Sequence, residues 1–159
     1  MKNYELIEHT ADIGIRVRGK KLEELFSNAA LAMFDIIAEE KSPSSAKIWR
    51  IPPKFGETSP AKLAGTKSPV KNSIKLKADS PDELFINWLN ELLSLSAIKE
   101  LIFSEFKIKK IQGNSLEAEA FGRNIKEYQV NSEIKAATYH ELKIAETADG
   151  WQAEVIFDV

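Results

Sequence analysis

In the stretch His9-Thr10-Ala11-Asp12-Ile13-Gly14-Ile15, polar residues lead directly into an alternation of apolar positions that continues to Val17. Alternation with a period of two is typical of a strand with one buried face. We therefore expect Asp12 at the start of a strand. A carboxylate beside the core of a sheet is costly unless a cation or hydrogen-bond donors pair with it. Asp12 is thus either a turn residue that accepts backbone N–H bonds or part of an ion site that needs a second acidic group.

The other end of the sequence supplies acidic groups of this kind. Trp151 to Val159 alternates apolar and polar residues and is predicted to be a strand. If this strand is paired, its last residues are held in place. Asp158 and the α-carboxylate of Val159 then provide two adjacent oxygen ligands on an ordered edge.

The composition limits the kinds of site that the chain can form. A chain of 159 residues is long enough to form one domain with a hydrophobic core. The absence of cysteine excludes disulfides, thiolate zinc sites and cysteine nucleophiles. Only His9 and His140 could add nitrogen ligands, so a metal site would favour a hard cation such as Ca²⁺, Mg²⁺ or Mn²⁺. No apolar run is long enough for a membrane helix and no signal peptide is visible, so we expect a cytoplasmic protein.

Two segments have the periodicity of amphipathic helices. The first runs from about Lys21 to Ala38. The second begins with Ser80 as N-cap, Pro81 at the first helical position and Glu83 completing a capping box. It continues to about Ser96, and its broad apolar stripe predicts the most buried helix of the fold.

Most of the remaining sequence is predicted to be β-structure. The predicted strands are Tyr4 to Ile7, Ile13 to Arg18, Ser73 to Ala78, Ile102 to Ile111, Ser115 to Phe121, Ile134 to Ala145 and Trp151 to Val159. Gly113-Asn114 and Asp149-Gly150 are typical hairpin turns between them. This pattern favours an α+β fold of mainly antiparallel sheets with the two principal helices packed on one face. A faint repeat, Glu24-Leu25-Phe26 and Glu83-Leu84-Phe85, suggests two copies of a strand–helix–strand unit.

Residues 41 to 72 interrupt the pattern. Five of the six prolines lie there, and only Ile48 to Ile51 could form a short strand. We predict a long surface loop or insertion, rich in Pro, Ser and Lys, within one domain of residues 1–159. Residues 41 to 73 contain seven basic residues and one acidic residue. Such a segment either contacts RNA phosphates or an acidic partner, or is a solvated loop.

Several separated stretches together resemble one family, the archeases. The resemblance rests on His9 to Ile15, Leu22 to Phe26 with Ala32 to Phe34, Trp88 to Leu93, Glu133 to Tyr139 and Val155 to Val159. It covers most of the chain except residues 41 to 72. Lys20-Lys21 departs from the small polar residue that often precedes the first helix in this family.

The resemblance implies an accessory protein, not an enzyme. Archeases promote the guanylylation and multiple turnover of the RNA-splicing ligase of the RtcB type, which joins tRNA halves using GTP and a divalent metal. The family's metal site, with Ca²⁺ as the expected ion and Mg²⁺ or Mn²⁺ as alternatives, would here comprise Asp12, Asp158 and Val159. His9 could donate a hydrogen bond that orients Asp12 without binding the metal itself. Lys135 could contact the ligase or a phosphate. Contact with RNA itself is expected to be weak or indirect.

Two other functions remain open from the sequence. His9, Asp12 and Asp158 could hold a metal that activates water, which would make the protein a phosphoester hydrolase. The apolar helix from Pro81 to Ser96 could instead be the docking surface of a chaperone-like module. The residues suggest no role for His140.

Overall fold

The computed structural model describes residues 4–7, 11–41 and 69–159. Helices α1 (Leu22–Ile37) and α2 (Pro81–Lys99) are accompanied by a 3₁₀ turn at Ile125–Glu127. The strands are β1 (Tyr4–Ile7), β2 (Ile13–Gly19), β3 (Ala38–Glu40), β4 (Val70–Lys77), β5 (Leu101–Gln112), β6 (Ser115–Asn124), β7 (Tyr128–Val130), β8 (Ala136–Thr147) and β9 (Gly150–Asp158). Neither α1 nor α2 is long and apolar enough to cross a membrane.

The strands form antiparallel sheets around the two helices. One sheet has the order β1-β2-β9-β8, a second has the order β4-β6-β5, and β3 and β7 form a short ribbon. α1 packs on β2 and β9 of the first sheet and on β5 of the second, while α2 contacts β8, β4 and β5. The helices therefore fill the space between the two larger sheets. This confirms the α+β class with mainly antiparallel sheets.

The core is built from apolar residues of both helices. The rings of Phe26 on α1 and Phe85 on α2 meet edge to face with centroids 5.1 Å apart. The indole N–H of Trp88, a fully buried residue, donates to the backbone oxygen of Phe26 at 2.9 Å. Because the apolar stripe of α2 is buried in this way, it is not available as the docking surface of a chaperone-like module.

The prediction that the second helix is the most buried is wrong. Nine of the sixteen residues of α1 are buried, compared with six of the nineteen residues of α2. The last two turns of α2 extend beyond the core, and Ile98 there is 75% exposed. The reason is that α1 packs against five strands drawn from all three sheets, whereas α2 contacts only β8, β5 and β4.

Both helices begin with the same arrangement, which supports the faint repeat. The carboxylate of Glu24 accepts the backbone N–H of Lys20 at 2.9 Å, and that of Glu83 accepts the backbone N–H of Asp79 at 3.0 Å. Ser80 also caps α2 by accepting the N–H of Glu83 at 3.1 Å. The predicted capping box is therefore present, although Glu83 bonds one residue earlier than the motif requires. Lys21, the N-cap of α1, makes no side-chain capping bond.

Some boundaries differ from the sequence-based expectation. β4 begins at Val70, three residues before the predicted strand, because its pairing with β6 continues to Gly122. The three-residue strands β3 and β7 were not predicted, since segments so short have no measurable alternation. The possible strand at Ile48 to Ile51 lies outside the described residues, and the extent of the insertion stays a prediction.

The predicted hairpin turns connect β5 to β6 and β8 to β9. Gly113 and Gly150 have φ angles of 61° and 140°, which favour glycine. A Cβ atom on Gly150 would lie 2.5 Å from the backbone oxygen of Gly19. The β8–β9 turn therefore packs directly against the connection between β2 and α1.

Candidate functional site

Asp12 and Asp158 lie at the same end of the four-stranded sheet. The antiparallel pairing of β2 with β9 places Ile13 opposite Phe157, and Asp12 and Asp158 are the next residues beyond this last pair. Asp12 is half-buried and Asp158 is exposed. The fold thus brings together two acidic residues from opposite ends of the sequence.

Lys135 approaches the same sheet end from the other side of β9. Its backbone N–H donates to the backbone oxygen of Asp158 at 2.8 Å, and the next residue, Ala136, is paired with Asp158 in the register of β8 and β9. The Lys135 side chain belongs to an exposed residue. The backbone of Lys135 therefore lies beside Asp158, at the end of the sheet where the strands follow the order β2, β9 and β8.

A residue that the sequence did not suggest holds this part of β8 in place. Asn90 of α2 donates from Nδ2 to the backbone oxygen of Ala137 at 3.1 Å and accepts the Ala137 N–H on Oδ1 at 2.7 Å. The amide side chain thereby takes the place of a neighbouring strand at the edge of the sheet. The only indication in the sequence was that Asn90 is a polar residue on a broadly apolar helix.

The donor set at this sheet end suits a hard cation. Asp12 and Asp158 offer carboxylate oxygens, and the exposed residue Val159 offers its backbone oxygen. Within residues 4–7, 11–41 and 69–159, no group of three or more His, Asp or Glu side chains is arranged to hold a metal ion. His9 lies outside those ranges. A cation held here would therefore rely on water for much of its coordination, which predicts modest affinity.

A row of alternating charges crosses the strands that present this site. Glu5, Arg16, Glu154 and Lys143 follow one another across β1, β2, β9 and β8. Arg16 Nε donates to Glu154 at 3.0 Å, and Arg18 Nη1 lies 2.7 Å from a Glu5 carboxylate oxygen. The Arg18 guanidinium, with a smaller contribution from Arg16, lowers the pKa of Glu5, and Glu154 raises the pKa of Arg16. Opposite charges directly across strands favour this pairing over a slipped register.

The edge strand β8 changes direction shortly after Lys135. Its pairing with β9 is interrupted between Thr138 and Lys143, and Glu141 has a φ angle of 52°. A bulge of this kind re-aims side chains, and Tyr139 is 55% exposed. His140 Nε2 lies 3.9 Å from the Glu141 carboxylate. The bulge therefore presents a polar and aromatic segment on β8, the strand that begins directly after Lys135.

Comparison with known families gives one match that spans almost the whole chain. The model of the Archease protein family (MTH1598/TM1083) matches residues 4–52 and 57–159. The protein archease of Methanosarcina barkeri is 37% identical over 99% of this chain and 97% of its own length. The protein archease of Pyrococcus abyssi is 31% identical over the full length of both chains.

Solved structures give the same result for the fold. The solution structure of Methanobacterium thermoautotrophicum protein 1598 superposes with a TM-score of 0.69 at 29% identity and covers 100% of both chains. The crystal structure of an archease from Thermotoga maritima, described as a possible chaperone, has a TM-score of 0.58 at 22% identity and covers 96% of this chain and 94% of its own. At that identity, the second similarity concerns the fold alone.

Proposed function

This chain belongs to the archease family, and on that premise we propose that it is a non-catalytic accessory protein of the RNA-splicing ligase of the RtcB type. The observation that supports the proposal is that Asp12, Asp158 and Lys135 lie at or next to the ends of three adjacent strands, at one end of a sheet. The exposure of Asp158 and Lys135 suits contact with a partner protein better than chemistry on a small substrate, which usually needs a site closed to water.

In this proposal, Asp12, Asp158 and Val159 hold a divalent cation, most simply Ca²⁺, because all their donors are oxygen atoms. Two neighbouring carboxylates repel each other, and a cation between them removes that repulsion. The bound cation would supply positive charge beside the ligase's nucleotide site. The carboxylates themselves would position that charge, and Asn90 holds the start of β8 in place through Ala137.

Lys135 would act in the same contact by pairing with an acidic side chain of the ligase or with a phosphate. Its backbone is fixed by the bond to Asp158, whereas its long side chain remains exposed. The proposed effect is on the ligase's guanylylation, so the accessory protein should matter most when the ligase must be recharged with GMP in every cycle.

The experiment that tests this function is RNA ligation with the ligase at a concentration well below that of the RNA ends. We expect this protein to accelerate multiple turnover and guanylylation, with little effect on a single turnover by ligase that already carries GMP. Asp12→Ala and Asp158→Ala should lose the acceleration while keeping a cooperative melting transition. Asp149→Ala, in the turn between β8 and β9 at the opposite end of the same sheet, is the matched control and should remain active.

Two outcomes would overturn the proposal in different ways. Full acceleration by an Asp12→Ala, Asp158→Ala double variant would show that the site is assigned wrongly even though the family is correct. Hydrolysis of model phosphoesters by the purified protein alone, lost in the same double variant, would show a metal-dependent hydrolase instead.

A further inference from the structure

The outer face of the sheet β4-β6-β5 has an unusual concentration of lysine. The residues on this face alternate with buried ones such as Ile74 and Ala118. Its lysines are Lys71, Lys75 and Lys77 on β4 and Lys107, Lys109 and Lys110 on β5, which we call the lysine face. Lysines on alternate residues of a strand lie about 7 Å apart. The face therefore has two parallel rows of ammonium groups, one on each side of β6.

The carboxylates on this face do not cancel its positive charge. Glu117 and Glu119 of β6 and Glu105 of β5 lie among the six lysines, which leaves a net charge of +3 on a chain whose formal net charge is −2. Glu119 Oε2 lies 3.1 Å from Lys109 and 3.6 Å from Lys71. The ammonium group of Lys109 is the main reason why the pKa of Glu119 is lowered. These carboxylates are therefore engaged by lysines, and the excess charge faces outward.

Phe121 adds an aromatic ring to the middle strand. It lies between Lys71 of β4 and Glu105 of β5 in the sheet register. Its ring is partly exposed, and the ammonium group of Lys107 lies 5.2 Å from the ring centroid. A sheet with an aromatic ring on a central strand, and with cations over and beside that ring, is a surface on which nucleic-acid bases can stack.

The scarcity of exposed apolar residues on this face favours a polyanion over a folded protein as its partner. Protein interfaces have a fully buried apolar centre. Among the described residues, the large apolar residues that are exposed are Leu6, Leu31, Val70, Ile98, Val130, Tyr139 and Val159. Of these only Val70 belongs to this sheet, at its end. The lysine face therefore has the charge for a polyanion and lacks the centre of a protein-docking surface.

We propose that the lysine face binds single-stranded nucleic acid, with phosphates along the lysine rows of β4 and β5 and a base stacked on Phe121. Binding of this kind is independent of sequence and depends strongly on salt. It goes beyond the accessory role, because it concerns this protein alone and a different sheet from that of Asp12 and Asp158. A failure of either proposal therefore leaves the other standing.

The test is fluorescence anisotropy of a labelled 20-nucleotide uridine RNA titrated with the full chain, without ligase, at 50 mM and 200 mM NaCl. We expect a dissociation constant in the micromolar range at low salt. If about five phosphates are contacted, affinity should fall about a hundredfold over this fourfold rise in salt. The matching DNA oligonucleotide separates phosphate contact, which it shares, from contact with the 2′-hydroxyl groups.

Matched triple variants locate the binding surface. Lys75→Ala, Lys107→Ala and Lys110→Ala together should weaken binding at least tenfold and reduce the slope of log K against log salt by about 2. The control removes the same charge from the other side of the molecule through Lys20→Ala, Lys21→Ala and Lys143→Ala, and should change affinity less than twofold. Both triple variants should melt as the wild type does, because the substituted residues are exposed.

Phe121→Leu tests the stacking contact separately. It should weaken single-strand binding about fivefold to a hundredfold and leave the binding of an RNA duplex unchanged, because a paired base cannot stack on the ring. The proposal is overturned if the RNA does not bind at 50 mM NaCl, or if the control triple variant loses as much affinity. It is also overturned if polyglutamate of equal charge competes as well as RNA, which would indicate an acidic protein partner.

Discussion

The side chain of Asn90 forms two hydrogen bonds with the backbone of Ala137, one as donor and one as acceptor. The two residues are 47 positions apart in the sequence. Ala137 follows directly after Lys135 and Ala136, the residues that contact Asp158. A single amide on α2 therefore helps to hold the first residues of β8 at the end of the sheet where Asp12 and Asp158 lie.

Replacing Asn90 should weaken the attachment of β8 at Ala137. Asn90→Ala leaves a donor and an acceptor of Ala137 without partners, and we expect a loss of about 1–3 kcal/mol in the free energy of unfolding measured with urea. Hydrogen exchange at the Ala137 amide should accelerate as well. Asn87→Ala, three residues earlier on the same helix, is the control. Unchanged exchange at Ala137 in the Asn90 variant would show that the strand is held by other contacts.

Calcium should stabilise the folded protein, because a ligand that binds only the folded state raises its free energy of unfolding. At a hundred times the dissociation constant, the melting temperature should rise by about 5–10 °C. Asp12→Asn and Asp158→Asn should each abolish most of this rise, whereas Asp149→Asn should retain it. A wild-type protein that melts at the same temperature with and without calcium would contradict the metal site.

The ion pairs of Glu5 should make stability depend on pH in an acidic window. The Arg18 guanidinium lowers the pKa of Glu5 below its usual value of 4.5 in the folded protein. The ionised carboxylate therefore stabilises the fold above the unfolded-state pKa, and this contribution disappears as the pH falls through the lower folded-state value.

Comparison with Glu5→Gln measures this contribution directly. The variant should be less stable than the wild type at pH 7. The difference should vanish as the pH falls below the folded-state pKa of Glu5, and it should shrink at 1 M NaCl because the pair is exposed. Glu146→Gln, on the exposed edge strand β8, provides the control. A difference that persists unchanged at low pH would mean that Glu5 acts through packing and not through charge.

The segment predicted as an insertion should be dispensable for folding. Its proline and lysine content and its lack of apolar periodicity predict no contribution to the core. Replacing residues 44–68 by a short Gly/Ser linker, which leaves β4 intact, should leave the melting transition nearly unchanged, because loop-closure entropy depends weakly on length. A loss of cooperative unfolding would instead place Trp49 or Phe55 in the core.

Local chemistry made much of the fold predictable. The start of α2 follows from Ser80, Pro81 and Glu83, whose capping bonds join residues three or four positions apart. The turns at Gly113 and Gly150 follow from residues that accept positive φ angles. The relative burial of the two helices was not predictable, since it depends on how many strands cover each helix after the sheets have formed.

The candidate site was harder to predict because its residues meet only in three dimensions. The sequence placed Asp12 and Asp158 on strands, but their position at one end of the sheet required the register of β2 and β9. Their relation to a metal came from the family resemblance and remains a prediction. Asn90 was missed because its partner is the backbone of Ala137, and a backbone group leaves no mark in the sequence.

The strand order β1-β2-β9-β8 also has a consequence for how the chain is made in the cell. β2 acquires its second neighbour only when β9 has left the ribosome, and the paired residues Arg16 and Glu154 are 138 positions apart. At ordinary rates of translation this separation corresponds to roughly 7–28 s. During that interval the nascent β1–β2 hairpin carries an open strand edge that could pair with other chains. The late arrival of β9, and not the formation of the local hairpin, is thus the event that covers this strand edge.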